Sequence, residues 1–223
     1  ANDFFLLMLR SNILRCCVIG GAGFIGRYLV RELLATGRDV IVIGRQSLDE
    51  VSLPSGAEYM LCDYGNADAL KDILWSCHEV IDLAYATVPQ TSFVDPVFDL
   101  QANLPPSVNL LEVVRELPSL RRVVIVSSGG TVYGPVERLP ITEETTTSPV
   151  SPYGITKLTI ERYALMFYRL HGVPVTIVRP ANAYGVGQKP FVGQGFIATA
   201  MGHIIRGSKV VIFGEHGTVR DYV

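Results

Sequence analysis

Short apolar runs alternate along the chain with longer stretches whose apolar residues recur at helical spacing. Ile13, Leu14, Val18 and Ile19 read as a buried strand, and Ile25, Leu29, Leu33 and Leu34 read as the inner face of the helix behind it. The same reading predicts strands over residues 39–43, 57–62, 79–84, 122–128 and 173–179. Helices are predicted over 67–77, over 152–171 behind Ser151-Pro152, and from Pro106, which suits a first helical turn, through Val114. Residues 85–103, rich in Pro, Thr and Ser, are expected to form a long loop. Near-continuous apolar strands alternating with helices predict an α/β fold with a doubly wound parallel sheet covered on both faces.

From residue 181 the pattern changes. Residues 181–195 are rich in Gly, Gln and Asn, residues 196–206 read as a helix and 209–213 as a strand. The expected organisation is an extension over 1–13, a nucleotide-binding domain over 14–180 and part of a substrate-binding region over 181–223. Its remainder is expected to be missing, because the chain stops at Val223 in what reads as the middle of an element. The apolar run Phe4–Leu9 is too short to cross a bilayer and lacks the basic leader and cleavage site of a secretory signal. It is a docking segment, an upstream extension or a cloning remnant, and the residues do not separate these.

The first strand runs into Gly21-x-Gly23-x-x-Gly26 and directly on into a helix. Glycines at that spacing let the backbone bend sharply, approach a pyrophosphate without a Cβ in the way, and bring the helix close to the strand. The helix N-terminus then offers unpaired N–H groups to the phosphates. A Rossmann-like dinucleotide site is the expectation.

Composition narrows the partners. A chain of 223 residues, 48% hydrophobic, can bury a sizeable core, and its net charge of −2 without a Lys/Arg cluster argues against nucleic acid and anionic membrane. Cys16, Cys17, Cys62 and Cys77 show no C-x-x-C spacing, and neighbours on a strand point to opposite faces. They read as buried thiols in a reducing cytosol, and a cytoplasmic location is expected. His78, His171, His203 and His216 lack metal-ligand spacing, so no metal is expected, and Trp75 reads as core.

Tyr153 and Lys157 stand four residues apart on one helix face, so that an ammonium can favour the phenolate and make Tyr153 a general acid/base. With this pair the ordered motifs are complete: residues 20–26 (Gly-Gly-Ala-Gly-Phe-Ile-Gly), 127–134 (Ser-Ser-Gly-Gly-Thr-Val-Tyr-Gly), 151–157 (Ser-Pro-Tyr-Gly-Ile-Thr-Lys), 179–185 (Arg-Pro-Ala-Asn-Ala-Tyr-Gly), then Phe213-Gly214 and Arg220-Asp221-Tyr222. In their order and spacing they resemble the extended short-chain dehydrogenase/reductases of the nucleotide-sugar epimerase/dehydratase group, from Leu14 to Val223.

The resemblance implies that Gly20, Gly23, Phe24, Ile25 and Gly26 bind the cofactor pyrophosphate, that Asp63 and Tyr64 lie near the adenine, and that Ala84 lies against the cofactor. Asn103 matches an asparagine on the nicotinamide side, although Pro105-Pro106 after it is unusual for the family. It makes Tyr153 the catalytic base, Lys157 the ribose ligand that tunes it, and Asn182 and Arg220 the holders of the substrate diphosphate. It also implies a homodimer through helices near 106–116 and 152–170, with which apolar Leu165, Met166 and Phe167 are compatible.

Two departures stand out. The acidic residue that binds the adenosine ribose in NAD-using members is Gly44 here, with Arg45 next, so NAD is expected and NADP stays open: Arg45 either meets a 2′-phosphate or stacks on adenine. The usual Ser/Thr position beside Tyr153 is Gly129, so the hydroxyl is expected from Thr131, on the same face if the strand continues, whereas Ser128, expected to bind substrate, points the other way unless the chain turns. The expected activity is nucleotide-sugar epimerisation through a 4-keto intermediate. Gly130-Thr131, in place of the Asp-Glu pair of dehydratases, makes dehydration less favoured; a 4-keto reductase and a non-catalytic dinucleotide-binding sensor or scaffold are the alternatives.

Overall fold

A computed structural model describes residues 13–212 and 219–223. The expectations for Phe4–Leu9, His216 and Phe213-Gly214 lie outside these residues. Six strands form one sheet: β1 (Arg15–Ile19), β2 (Asp39–Gly44), β3 (Glu58–Leu61), β4 (Glu79–Asp82), β5 (Arg122–Val126) and β6 (Val175–Val178), in the order β3-β2-β1-β4-β5-β6. The pairs from β3 to β5 are parallel, and Val123 N to Pro174 O and Ser127 N to Val178 O extend the same direction to β6. The order reverses between β1 and β4, the point at which open parallel sheets bind ligands.

Among the described residues six α-helices connect or follow the strands: α1 (Phe24–Ala35), α2 (Ala67–Leu74), α3 (Pro89–Val94), α4 (Pro96–Val114), α5 (Pro152–His171) and α6 (Phe196–Ile205). Cys16 and Cys17 are both fully buried. Adjacent strand residues face opposite ways, so β1 is covered on both sides, as its unbroken apolar run predicts. One side is the cluster of Cys16, Val18, Val40 and Val42 with Val30 and Leu33 of α1.

Several local readings change. The buried face of α1 is Gly26, Val30 and Leu33, whereas Ile25 is 43% exposed. Ile13 is also exposed, ahead of the first ladder pair at Arg15. Trp75, read as core, is 52% exposed at the C-terminal end of α2, whose inward residues are Leu70 and Leu74. Residues 209–212 form no regular element, so the strand expected there is not seen in its described part.

The largest correction is at 85–103, expected as loop and found mostly as α3 and α4. The overlooked start signal is Asp95-Pro96: Asp95 Oδ1 accepts from Phe98 N at 2.8 Å, and Pro96 occupies the first helical position. Pro105 and Pro106 lie inside α4 and remove two N–H donors without ending it.

Two compact units divide the described chain. The first holds the residues up to Ala84, Pro105–Val126 and Arg162–Ile177, and so nearly the whole sheet; the second holds Tyr85–Leu104, Ser127–Glu161 and the described residues from Val178 onward. Among the described residues no helix is long and apolar enough to cross a membrane.

Candidate active site

In the first unit the glycine turn is shaped by its own backbone. Gly20 has φ +77°, its N–H donates to Ile43 O at 2.8 Å, and Gly23 N donates back to Gly20 O at 3.0 Å. A Cβ on Gly26 would lie 2.5 Å from Gly21 O and 2.6 Å from Gly20 O, so only glycine lets α1 start this close to β1. The N-cap, Gly23, has no side chain to cap the helix, and the first turn carries no acidic residue. The first-turn N–H groups therefore have no side-chain cap and the partial positive charge of the helix end meets no first-turn acid, the arrangement that suits a phosphate.

The other expected cofactor residues sit at the same C-terminal ends of parallel strands. Ala84 follows β4, where its backbone N lies 3.1 Å from where a Cβ on Gly20 would be. Asp63 and Tyr64 follow β3; Asp63 Oδ1 accepts from Gly65 N, and burial raises the Tyr64 phenol well above its ordinary value. Arg45 follows β2 and is exposed.

The second unit holds the acid/base candidates. Ser151 starts α5, its Oγ accepting from Gly154 N at 3.1 Å, and Tyr153 N donates to Ser92 Oγ at 3.2 Å. Tyr153 is 9% and Lys157 6% exposed. Between them stands a residue that the sequence reading missed: the ring of Tyr85 meets Tyr153 edge-on at 4.8 Å, and Lys157 Nζ lies 4.0 Å from the centre of the Tyr85 ring against 5.9 Å from that of Tyr153. A cation held over an aromatic face is attracted by the ring quadrupole.

A second missed residue is Asp99, fully buried on the first turn of α4. Thr87 Oγ1 donates to Asp99 Oδ1, and Thr156 Oγ1 donates to Asp99 Oδ2 at 2.7 Å. Asn103 joins this network: its Oδ1 accepts from Ala86 N at 2.7 Å, and its Nδ2 donates to Asp99 O at 2.7 Å and Thr87 Oγ1 at 3.3 Å. The amide expected beside a nicotinamide is therefore engaged in tying α4 to residues 86 and 87. Asp95 is a recognisable helix cap, but an acidic residue four positions on reads in sequence as a solvated first-turn charge.

This environment reverses one expectation. Lys157 was expected to lower the Tyr153 pKa, yet the phenol is pushed up to about 12, first by burial and then by the negative charge of Asp99. The ammonium sits over the neighbouring ring, so the dry surroundings dominate.

After β5 the chain turns at residues 129–131, so strand alternation is not what orients Thr131. Its carbonyl packs 2.8 Å from where a Cβ on Gly154 would be, beside Tyr153, and its Oγ1 is buried without a hydrogen-bond partner, as is Ser127 Oγ. Ser128 is half-buried, and its carbonyl accepts from Val132 N. Gly129 is glycine because a Cβ there would meet Arg179 O at 2.8 Å. Arg179 pairs with buried Glu161 at 2.5 and 2.9 Å and donates to Tyr133 Oη, which fixes this loop to α5.

Asn182 forms a parallel bridge with Tyr222, and its Nδ2 donates to Asp221 O at 2.9 Å. The backbone pairing brings exposed Arg220 into the neighbourhood of Asn182, although the Asn182 amide is itself occupied. A cavity of about 430 Å³ in this unit is lined by Gln90 of α3 with Phe191, Gly195, Phe196, Thr199 and His203. Among the described residues no three His, Cys, Asp or Glu side chains gather as a metal site.

Residues 16–223 match the model of the NAD dependent epimerase/dehydratase family. The chain belongs to that family. The UDP-glucose 4-epimerase of Mycolicibacterium smegmatis is 35% identical over 217 residues, covering 94% of this chain and 69% of that protein. The structure of UDP-glucose 4-epimerase from Thermotoga maritima with UDP-glucose matches with TM-score 0.86 and 32% identity over 94% of this chain and 69% of that one. The Thermus thermophilus UDP-glucose 4-epimerase in complex with NAD matches with TM-score 0.84 and 31% identity over 94% of this chain and 70% of that one. The expected family and the Rossmann-like fold are both met by these comparisons.

Proposed function

We propose that this family member is a nucleotide-sugar 4-epimerase that uses NAD. The observation that carries the reading is the buried Tyr153 with the Lys157 ammonium one helical turn away over Tyr85. The relatives named as UDP-glucose 4-epimerases support it, and Gly130-Thr131 in place of an acid pair favours epimerisation over dehydration.

A bound nicotinamide dinucleotide supplies the acceptor, then the donor, of the sugar hydride. The glycine turn fits such a group, since Gly26, where a Cβ would strike the carbonyls of Gly20 and Gly21, lets the start of α1, which has no side-chain cap, lie directly against the turn. Gly20, Gly23, Phe24, Ile25, Gly26, Arg45, Asp63, Tyr64, Ala84 and Asn103 are the residues we assign to it, with residues 14–180 as its domain. Tyr153, once ionised, takes the proton of the sugar 4-hydroxyl and gives it back when the 4-keto sugar is reduced, and Lys157 offsets the phenolate charge before the proton arrives and after it is returned. The unsatisfied Thr131 hydroxyl orients the sugar, and Ser128, Asn182 and Arg220 hold the substrate on its nucleotide side.

An apolar stripe on α5, Ile155, Tyr163, Met166 and Leu170, is exposed at helical spacing and supports a homodimer; Phe167 is core. Four buried, unpaired cysteines support a reducing compartment such as the cytosol.

The test is incubation of the protein with NAD and UDP-glucose, with the sugars resolved by NMR. UDP-galactose is expected to form, and Tyr153→Phe is expected to slow its formation about 10²–10⁴-fold with unchanged circular dichroism. Binding of NAD without turnover of UDP-glucose, UDP-glucuronate or dTDP-glucose would refute the proposal.

A further inference from the structure

The end of β2 is where a dinucleotide-binding sheet ordinarily places a carboxylate for the adenosine ribose hydroxyls. Here the residue is Gly44, and the space that a side chain would need is filled. A Cβ on Gly44 would lie 2.5 Å from Tyr59 Oη and 3.2 Å from two of its ring carbons. Tyr59 reaches this point from β3, where it pairs with Val42 on the same face of the sheet as Gly44. Its hydroxyl donates to Gln46 O at 2.8 Å, which pins the turn of residues 44–46. Arg45 lies in the middle of that turn, exposed, and among the described residues no carboxylate is within ion-pair distance of its guanidinium.

We propose that this corner accepts a ribose 2′-phosphate, so that the protein binds NADP as well as NAD, with Arg45 as the phosphate ligand and Tyr59 as the residue that keeps a carboxylate out. The inference rests on the reading of the glycine turn as a dinucleotide site. A ribose phosphate carries close to two negative charges at neutral pH, and a carboxylate on residue 44 would repel it. With Gly44 that repulsion is gone, and an arginine fork matches the phosphate oxygens. Glu50, whose charge reaches the Tyr59 hydroxyl, stands on the short 3₁₀ turn Leu48–Glu50, beyond the pinned segment, and the charge of Arg45 reaches the Tyr64 phenol, on which Asp82 and Asp63 also act.

The experiment is titration calorimetry of the full chain with NAD and with NADP, repeated on Arg45→Ala and on the double variant Gly44→Asp/Tyr59→Ala. The wild type is expected to bind the two dinucleotides within about tenfold of each other. Arg45→Ala is expected to weaken NADP about tenfold or more beyond any weakening of NAD, the loss of one charge-assisted contact made to the 2′-phosphate alone. The double variant, with a carboxylate restored and room for it, is expected to keep NAD and lose NADP by a similar factor. Wild-type NADP binding about a hundredfold or more below that of NAD, or equal weakening of both by Arg45→Ala, as adenine stacking would give, overturns the proposal while leaving the dinucleotide site standing. Binding of neither dinucleotide overturns the glycine-turn reading and this inference with it.

Discussion

Asp99→Asn changes the charge beside Tyr153 while keeping the shape of the side chain. Asp99 accepts hydroxyl hydrogen bonds from Thr87 and Thr156, and Thr87 Oγ1 already accepts from Asn103 Nδ2. An asparagine keeps one acceptor oxygen and turns an amide toward a second hydroxyl, so one charge-assisted contact is lost, about 1.5–3 kcal/mol of stability. The electrostatic consequence is separate. Burial and Asp99, in that order, hold Tyr153 at about 12, and removing a negative charge favours the phenolate. The Tyr153 pKa therefore falls in the variant, but stays above its ordinary value because burial, the larger cause, remains. The assay is the pH profile of kcat/KM for UDP-sugar interconversion, with a thermal melt as the control for folding. The limb assigned to Tyr153 is expected to move to lower pH. A folded Asp99→Asn protein with an unmoved profile would refute the electrostatic argument and leave Asp99 as a clamp only.

Three further outcomes follow from the geometry. Thr131→Val removes a buried hydroxyl that has no partner, so the free protein is expected to melt at the same temperature or higher while turnover falls about tenfold or more; unchanged turnover would end the role given to Thr131. Gly26→Ala drives a methyl to 2.5 Å from Gly21 O and is expected to abolish dinucleotide binding in calorimetry and lower the melting temperature; a variant that binds normally would contradict the close approach of α1 to the turn. Stability is expected to fall on the alkaline side. Burial raises Cys16 from 9.0 to about 12 and Cys77 from 9.0 to about 11. Groups raised on folding contribute fully below their unfolded value and lose that contribution as pH climbs through the folded one. For Cys77 the two-unit rise corresponds to about 3 kcal/mol. Calorimetric melts from pH 8 to 11 check this, and Cys77→Ala is expected to flatten the decline.

Legibility differed between fold and site for a physical reason. β1 and β2 were readable because their buried residues are consecutive and each signal spans only a few positions. The 85–103 segment was misread because its Pro, Thr and Ser content signals a loop while Asp95, a single capping residue, decides for helix. Ile25 and Trp75 were misread because an apolar residue at helical spacing does not say which side of the stripe meets the sheet. Tyr153 and Lys157 were visible as a pair because one helix turn joins them, whereas the direction of the Tyr153 shift was not.

By itself the amino-acid order determined the run of strands and helices, the glycine bend after β1 and the pairing of Tyr153 with Lys157, all of which are interactions between near neighbours in the chain. Only the folded structure decided that Asp99 meets Thr156 across 57 positions, that Tyr85 sits between the phenol and the ammonium, and that Tyr59 occupies the side-chain space of Gly44. Those contacts depend on which helix faces turn inward and how far each strand is shifted against its neighbour. Local periodicity carries no term for either, because both are fixed by packing between segments distant along the chain.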